Sequence, residues 1–167
     1  EIIKKDLPAL SNKLNACLLV LDQIEDPQNL GQIIRTAECA GIDGIIIPKH
    51  NSAPINETSL QVSQGAFASI NIYEVTNLRN AFQEYKSHGF WVIGVENSIN
   101  AKPWFETEYE GKVLIVLGSE GRGIREKVLE SCDFTATIPM KGKTNSLNVS
   151  ATASAILFER VRQLEEK

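Results

Sequence analysis

Six short apolar runs recur along the chain: CLLVLD at 17–22, GIIIP at 44–48, INIYEV at 70–75, FWVIGVE at 90–96, KVLIVLG at 112–118 and FTATIP at 134–139. They are rich in Val, Ile and Leu and too short for buried helices, so each is expected to be a strand enclosed on both faces. The segments between them have helical spacing. Asp26 is placed to cap, and Pro27 to begin, a helix carrying Leu30, Ile33, Ile34, Ala37 and Ala40 on one side and stopped by Gly41. Asn77 caps LRNAFQEYKSH, with Leu78, Ala81, Phe82 and Tyr85 on one face. Shorter helices are expected near Ser59 to Ser63 and across IREKVLESC, and a long one from about Leu147 to Glu165. Strands alternating with helices through short loops predict an α/β domain with a mostly parallel sheet flanked by helices on both faces. Ligands of such sheets sit outside the carboxyl ends of the strands.

At 167 residues the chain can bury one sizeable core. No run approaches the roughly 18 apolar residues of a membrane span, and no basic stretch followed by an apolar one reads as a secretory signal, so a cytoplasmic protein is expected. Residues 1–16 read as a lead-in from a missing upstream domain, because the chain starts at Glu1 rather than Met, and 17–167 as one domain. Cys17, Cys39 and Cys132 lack C-x-x-C spacing and lie in or beside apolar runs, which predicts reduced core thiols. The sequons at Asn56 and Asn148 are discounted on the same grounds as a signal. A net charge of −4 argues against a nucleic-acid grip over the whole surface, but leaves room for a local basic patch.

Three strand-end loops are richer in glycine and polar residues than connection requires: DPQNLGQIIR at 26–35, GSEGRGI at 118–124 and PMKGKTNSLN at 139–148. GSEGRG has neither the order nor the position of the dinucleotide fingerprint. GKT at 142–144 lacks the glycine a phosphate-binding loop needs five residues earlier, where Thr137 stands. His50 and His88 frame no nucleophile, and with the scattered cysteines they make no metal site, so no metal is expected. The groups left for chemistry are Arg, Glu, Asn and Ser.

Taken together, DPQNLGQIIRTAECAG, LIVLGSEGRGI and IPMKGKTNSLNVSATASAILFE resemble the three signature motifs of SpoU-type (TrmH-like) RNA 2′-O-ribose methyltransferases of the SPOUT superfamily. The resemblance runs from about Leu18 to Arg162 and is closest to the branch methylating a guanosine ribose in large-subunit ribosomal RNA. It implies a deep C-terminal trefoil knot, a feature that periodicity does not foretell. It also implies S-adenosylmethionine as cofactor, RNA as substrate, a homodimer built on the small-residue C-terminal helix, and a small RNA-binding domain ahead of the 1–16 lead-in, with 17–167 as the catalytic domain.

The resemblance assigns Val95, Leu117, Gly118, Gly121, Ile138, Met140, Ser146 and Leu147 to the cofactor, with Leu147 against the adenine. Arg35 becomes the essential catalytic residue, with Asn29 and Glu120 orienting it and Ser146 and Asn148 positioning ribose or cofactor. Whether Arg35 is a base or an electrostatic stabiliser stays open, since a guanidinium hardly surrenders its proton. Arg35, Arg122, Arg125, Lys141 and Lys143 are expected to contact RNA phosphates. Two other readings remain: the same chemistry on transfer RNA or at a resistance site in ribosomal RNA, and an inert RNA-binding scaffold, which cofactor binding would separate.

Overall fold

The computed structural model describes residues 2–98 and 100–166, so the outer ends of the two expected segments, Glu1 and Lys167, lie outside it. Strands β2 (Ala16–Asp22), β3 (Gly44–Pro48), β4 (Ile72–Val75), β5 (Trp91–Val95), β7 (Lys112–Gly118) and β8 (Phe134–Thr137) fall on the six apolar runs. Two strands of two residues each, β1 (Ile3–Lys4) and β6 (Lys102–Pro103), complete one sheet in the order β1-β4-β3-β2-β7-β5-β8-β6. Among the described residues, every pairing between these strands is parallel.

Alternation along each strand divides the core in two. Cys17, Leu19 and Leu21 of β2 face one layer, and Ala16, Leu18 and Val20 face the other. Helices α1 (Pro27–Cys39) and α5 (Val149–Glu165) close the first layer with Leu30, Ile33, Ile34, Ala153, Ile156 and Leu157. Helices α3 (Leu78–Ser87) and α4 (Glu126–Glu130) close the second with Leu78, Phe82, Tyr85 and Val128. The short α2 (Glu57–Val62) packs on α1 at Gly31, where a Cβ would stand 2.6 Å from the Ser59 carbonyl oxygen.

The chain builds outward from β2 through β3 to β4, then crosses to β5 and β7 on the other side. β8 is inserted between β5 and β6, so the final strand lies inside the span of the 96–111 segment that carries β6. From there α5 returns across the sheet, and Gln163 near its end donates to the Thr107 carbonyl and accepts from the Tyr109 amide, both at 2.8 Å. The terminal helix is thereby tied to the segment that follows β6.

Residues of the lead-in pack on this domain: Ile3 pairs with Ile72, Leu7 and Leu10 join the second core, and the Tyr85 hydroxyl donates to the Pro8 carbonyl at 3.0 Å. Two expectations are corrected. The third strand starts at Ile72 rather than Ile70. Cys39 is exposed at the end of α1, four residues after exposed Arg35 and on the same helical face, whereas Cys17 is buried and Cys132 partly so. Burial pushes both latter thiols up to about 12, which makes them unreactive core groups.

Candidate functional site

The carboxyl ends of β5, β7 and β8 open into one crevice of about 320 Å³. Val95, Leu117, Gly118, Gly121, Ile138, Met140, Ser146 and Leu147 all line it, so the structure gathers every residue expected to meet a cofactor onto one wall system. Leu147 keeps 41% of its surface exposed there, an apolar side chain at a cavity wall without an intramolecular cover. Ser119 Oγ, also in the lining, is buried without a hydrogen-bond partner among the described residues.

The loop after β7 is folded tightly on itself. A Cβ on Gly118 would lie 2.2 Å from both the Gly123 carbonyl carbon and the Ile124 nitrogen, so only glycine allows this approach. Two carboxylates from the flanking strands clamp the loop. Asp22, at the end of β2 and fully buried, accepts from the Arg125 amide and from its Nε, each at 2.8 Å, and forms an ion pair with Nη2 at 2.8 Å. Glu96, just past β5, accepts from the Ile124 amide at 3.0 Å. Sequence reasoning missed both carboxylates, although the rule that directs attention to strand ends applies to them. Neither sits in a glycine-rich loop, the feature by which the three loops stand out.

The polar mouth of α5 joins the three loops. Asn148 caps the helix by accepting from the Ser150 amide at 2.8 Å, and its Nδ2 donates to Asn29 Oδ1 of α1 at 3.1 Å. The next free amide, Val149 N, donates to Glu120 Oε1 at 3.1 Å. A carboxylate at a helix N-terminus also meets the positive end of the macrodipole. Ser150 Oγ donates to Gln32 Oε1 at 2.7 Å, a second link from α5 to α1.

Arg35 occupies a neighbouring depression rather than the crevice itself. It is exposed there beside Gln32, Thr36, Ser150, Ser154 and Phe158. Asn29 and Glu120 do not orient it: Asn29 bonds Asn148, and Glu120 bonds the start of α5. The reason is helical phase, since six residues at about 100° each turn Asn29 inward while Arg35 points out. Arg125 also departs from expectation, because its guanidinium is engaged by Asp22 and it borders a third depression with Arg79 and Lys127. Arg122 lies 3.4 Å from Glu25, and Lys141 and Lys143 are exposed on the loop before α5.

Among the described residues no group of His, Cys, Asp and Glu could hold a metal ion, and no helix is long and apolar enough to cross a membrane.

Residues 16–158 match the SpoU rRNA Methylase family. A Staphylococcus aureus protein named for the TrmH family of tRNA/rRNA methyltransferases is 44% identical over 146 residues, covering 87% of this chain and 58% of that protein. The chain therefore spans less than two thirds of the length of such relatives. The SpoU methyltransferase AviRb from Streptomyces viridochromogenes, solved in complex with the cofactor AdoMet, superposes with a TM-score of 0.83 at 27% identity, covering 92% of this chain and 59% of that one. A structure described as an RNA 2′-O ribose methyltransferase superposes with a TM-score of 0.81 at 26% identity, covering 92% of this chain and 58% of that one.

Proposed function

The chain belongs to the SpoU rRNA methylase family, and from that premise we propose that it transfers a methyl group from S-adenosylmethionine to a ribose 2′-hydroxyl of RNA. The observation that carries the proposal is the crevice at the ends of β5, β7 and β8, into which the second and third signature loops converge while the first is hydrogen-bonded to its rim. The lining fits the cofactor: the space reaches the lower end of the range for small-molecule sites, Leu147 offers an apolar face to a base, and Ser119 Oγ is an unused hydrogen-bonding group. The trefoil knot proposed for the C-terminal segment rests on the likeness to SpoU methyltransferases, and β8 lying between β5 and β6 is compatible with it.

The cofactor supplies an electrophilic methyl group on a sulfonium. The chain's own residues have to hold it and bring a ribose oxygen into line, at about 3–3.5 Å, behind the methyl carbon. Leu117, Gly118, Ile138, Met140 and Ser146 line the crevice, and their backbone groups would hold the adenosine. Asn148 and Glu120 keep the mouth of α5 fixed so that those groups are preorganised. Arg35 stabilises negative charge developing on the attacking oxygen and binds the adjoining phosphate, as a guanidinium is suited to do, and the hydroxyl proton leaves to water.

RNA is gripped electrostatically by Arg122, Lys141 and Lys143 at the crevice rim, with Arg125 excluded by its pairing to Asp22. The exposed stripe Ala151, Ser154 and Phe158 on α5 borders the depression of Arg35 and is the face through which we expect a homodimer. Large-subunit ribosomal RNA is the proposed target in a cytoplasmic setting; transfer RNA is the second reading, kept because the S. aureus relative is named for both classes. The test is Arg35→Ala: methylation should be abolished while donor affinity, read by calorimetry, stays within about twofold. Activity surviving within a few fold removes Arg35 from catalysis. Loss of donor binding in the wild type defeats the proposal as a whole.

A further inference from the structure

The charge lining the crevice is one-sided. Its ionisable lining residues are Glu96 and Glu120, with no Lys, Arg or His among them. Glu120 is partly offset by the N-terminus of α5, to which its Oε1 is bonded. Glu96 has no cationic partner among the described residues. Its Oε2 accepts from the Ile124 amide at 3.0 Å and its Oε1 from the Asn97 amide at 3.3 Å. The same carboxylate fills the space beside Gly123, where a Cβ would come within 2.7 Å of Oε2. Glu96 is thus a fixed, half-buried negative charge on the wall, and a charge in that setting acts on a ligand more strongly than it would in bulk water.

The donor and the product of the proposed reaction are nearly the same molecule. They share the adenosine and the amino-acid tail, and differ by a methyl group and by one positive charge on sulfur. Contacts from backbone groups and from Leu147 act on both about equally, so they cannot separate the two. A fixed charge can. We propose that Glu96 is a specificity residue that makes the crevice favour the cationic sulfonium donor over the neutral thioether product, so that the spent cofactor leaves readily. This rests on the reading that the crevice binds S-adenosylmethionine.

The test is calorimetric titration of the intact protein with S-adenosylmethionine and S-adenosylhomocysteine, in the wild type, Glu96→Gln and the control Glu130→Gln. Gln keeps the size of Glu and an acceptor for the Ile124 amide, and Glu130 is an exposed residue at the end of α4. The wild type should bind the sulfonium at least about fivefold more tightly than the thioether. Glu96→Gln should weaken the sulfonium about tenfold, which is about 1.4 kcal/mol, and the thioether less than about twofold. Glu130→Gln should change neither. Equal losses for both ligands assign Glu96 to loop structure alone and overturn the proposal, as does no loss at all. If the variant does not fold, a wild type that binds the thioether as tightly as the sulfonium overturns it. A wild type that binds neither ligand sinks the methyltransferase reading instead.

Discussion

Arg125→Met tests how the second signature loop is held. The substitution keeps much of the apolar stem and removes the guanidinium, which leaves Asp22, fully buried, without its ion pair and with one of two hydrogen bonds, the backbone amide at 2.8 Å. Removing one partner of a buried pair costs about 3–5 kcal/mol because the remaining charge is stranded. Arg125 keeps 46% of its side chain exposed, so water can reach that end of the pair and the lower figure, about 3 kcal/mol, applies. For a chain of this length that is a fall in Tm of about 6–12 °C by calorimetry or circular dichroism. The double variant Asp22→Asn with Arg125→Met has no stranded charge and should regain about 1–2 kcal/mol over the single one. An Arg125→Met protein within about 2 °C of wild type, or a double variant no more stable than the single, refutes the view that this pair anchors the loop.

Gly118→Ala should weaken donor binding more than about tenfold, since a Cβ 2.2 Å from two backbone atoms must displace the loop; calorimetry showing wild-type affinity contradicts the close-approach argument. Glu159 accepts two hydrogen bonds from Arg162 and one from Gln163, and those from Arg162 are the main reason its carboxyl sits below the usual 4.5. Its folded value is depressed, so its stabilisation is complete above the ordinary range and disappears as pH falls through the lowered value. Urea titrations of Glu159→Gln should therefore show a shallower loss of stability below about pH 4 than the wild type. Replacing Lys141 and Lys143 by Gln should reduce the salt slope of RNA binding by about one to two contacts; an unchanged slope places the RNA grip elsewhere.

How much of this was legible before any coordinates depends on the kind of signal. Strands such as GIIIP and KVLIVLG were readable to the residue because a strand buried on both faces has an unbroken apolar run with polar ends. The two-residue strands Ile3–Lys4 and Lys102–Pro103 were not, since a single pair of register contacts leaves no periodicity. Asp26 and Pro27 marked the start of α1 because cap chemistry is local. Which residues meet across the site was not a local matter. The pairing of Asn29 with Asn148 spans 119 positions and that of Asp22 with Arg125 spans 103, and neither leaves a mark in its own neighbourhood. Arg35 is exposed beside buried Ile33 and Ile34, but its relation to Asn29 needed helical phase, which turns the two apart. The residues that share the crevice were traceable only through resemblance, as a crevice made from three strand ends has no pattern in any one of them.

The most direct measurement supplies the intact protein with RNA and S-adenosylmethionine labelled in its methyl group, digests the RNA to nucleosides and locates the label by mass spectrometry. Label on a ribose, as a 2′-O-methyl nucleoside, and its loss in Arg35→Ala are the results predicted here. Label on a base, or an unlabelled RNA from a protein that binds the donor, would contradict the account.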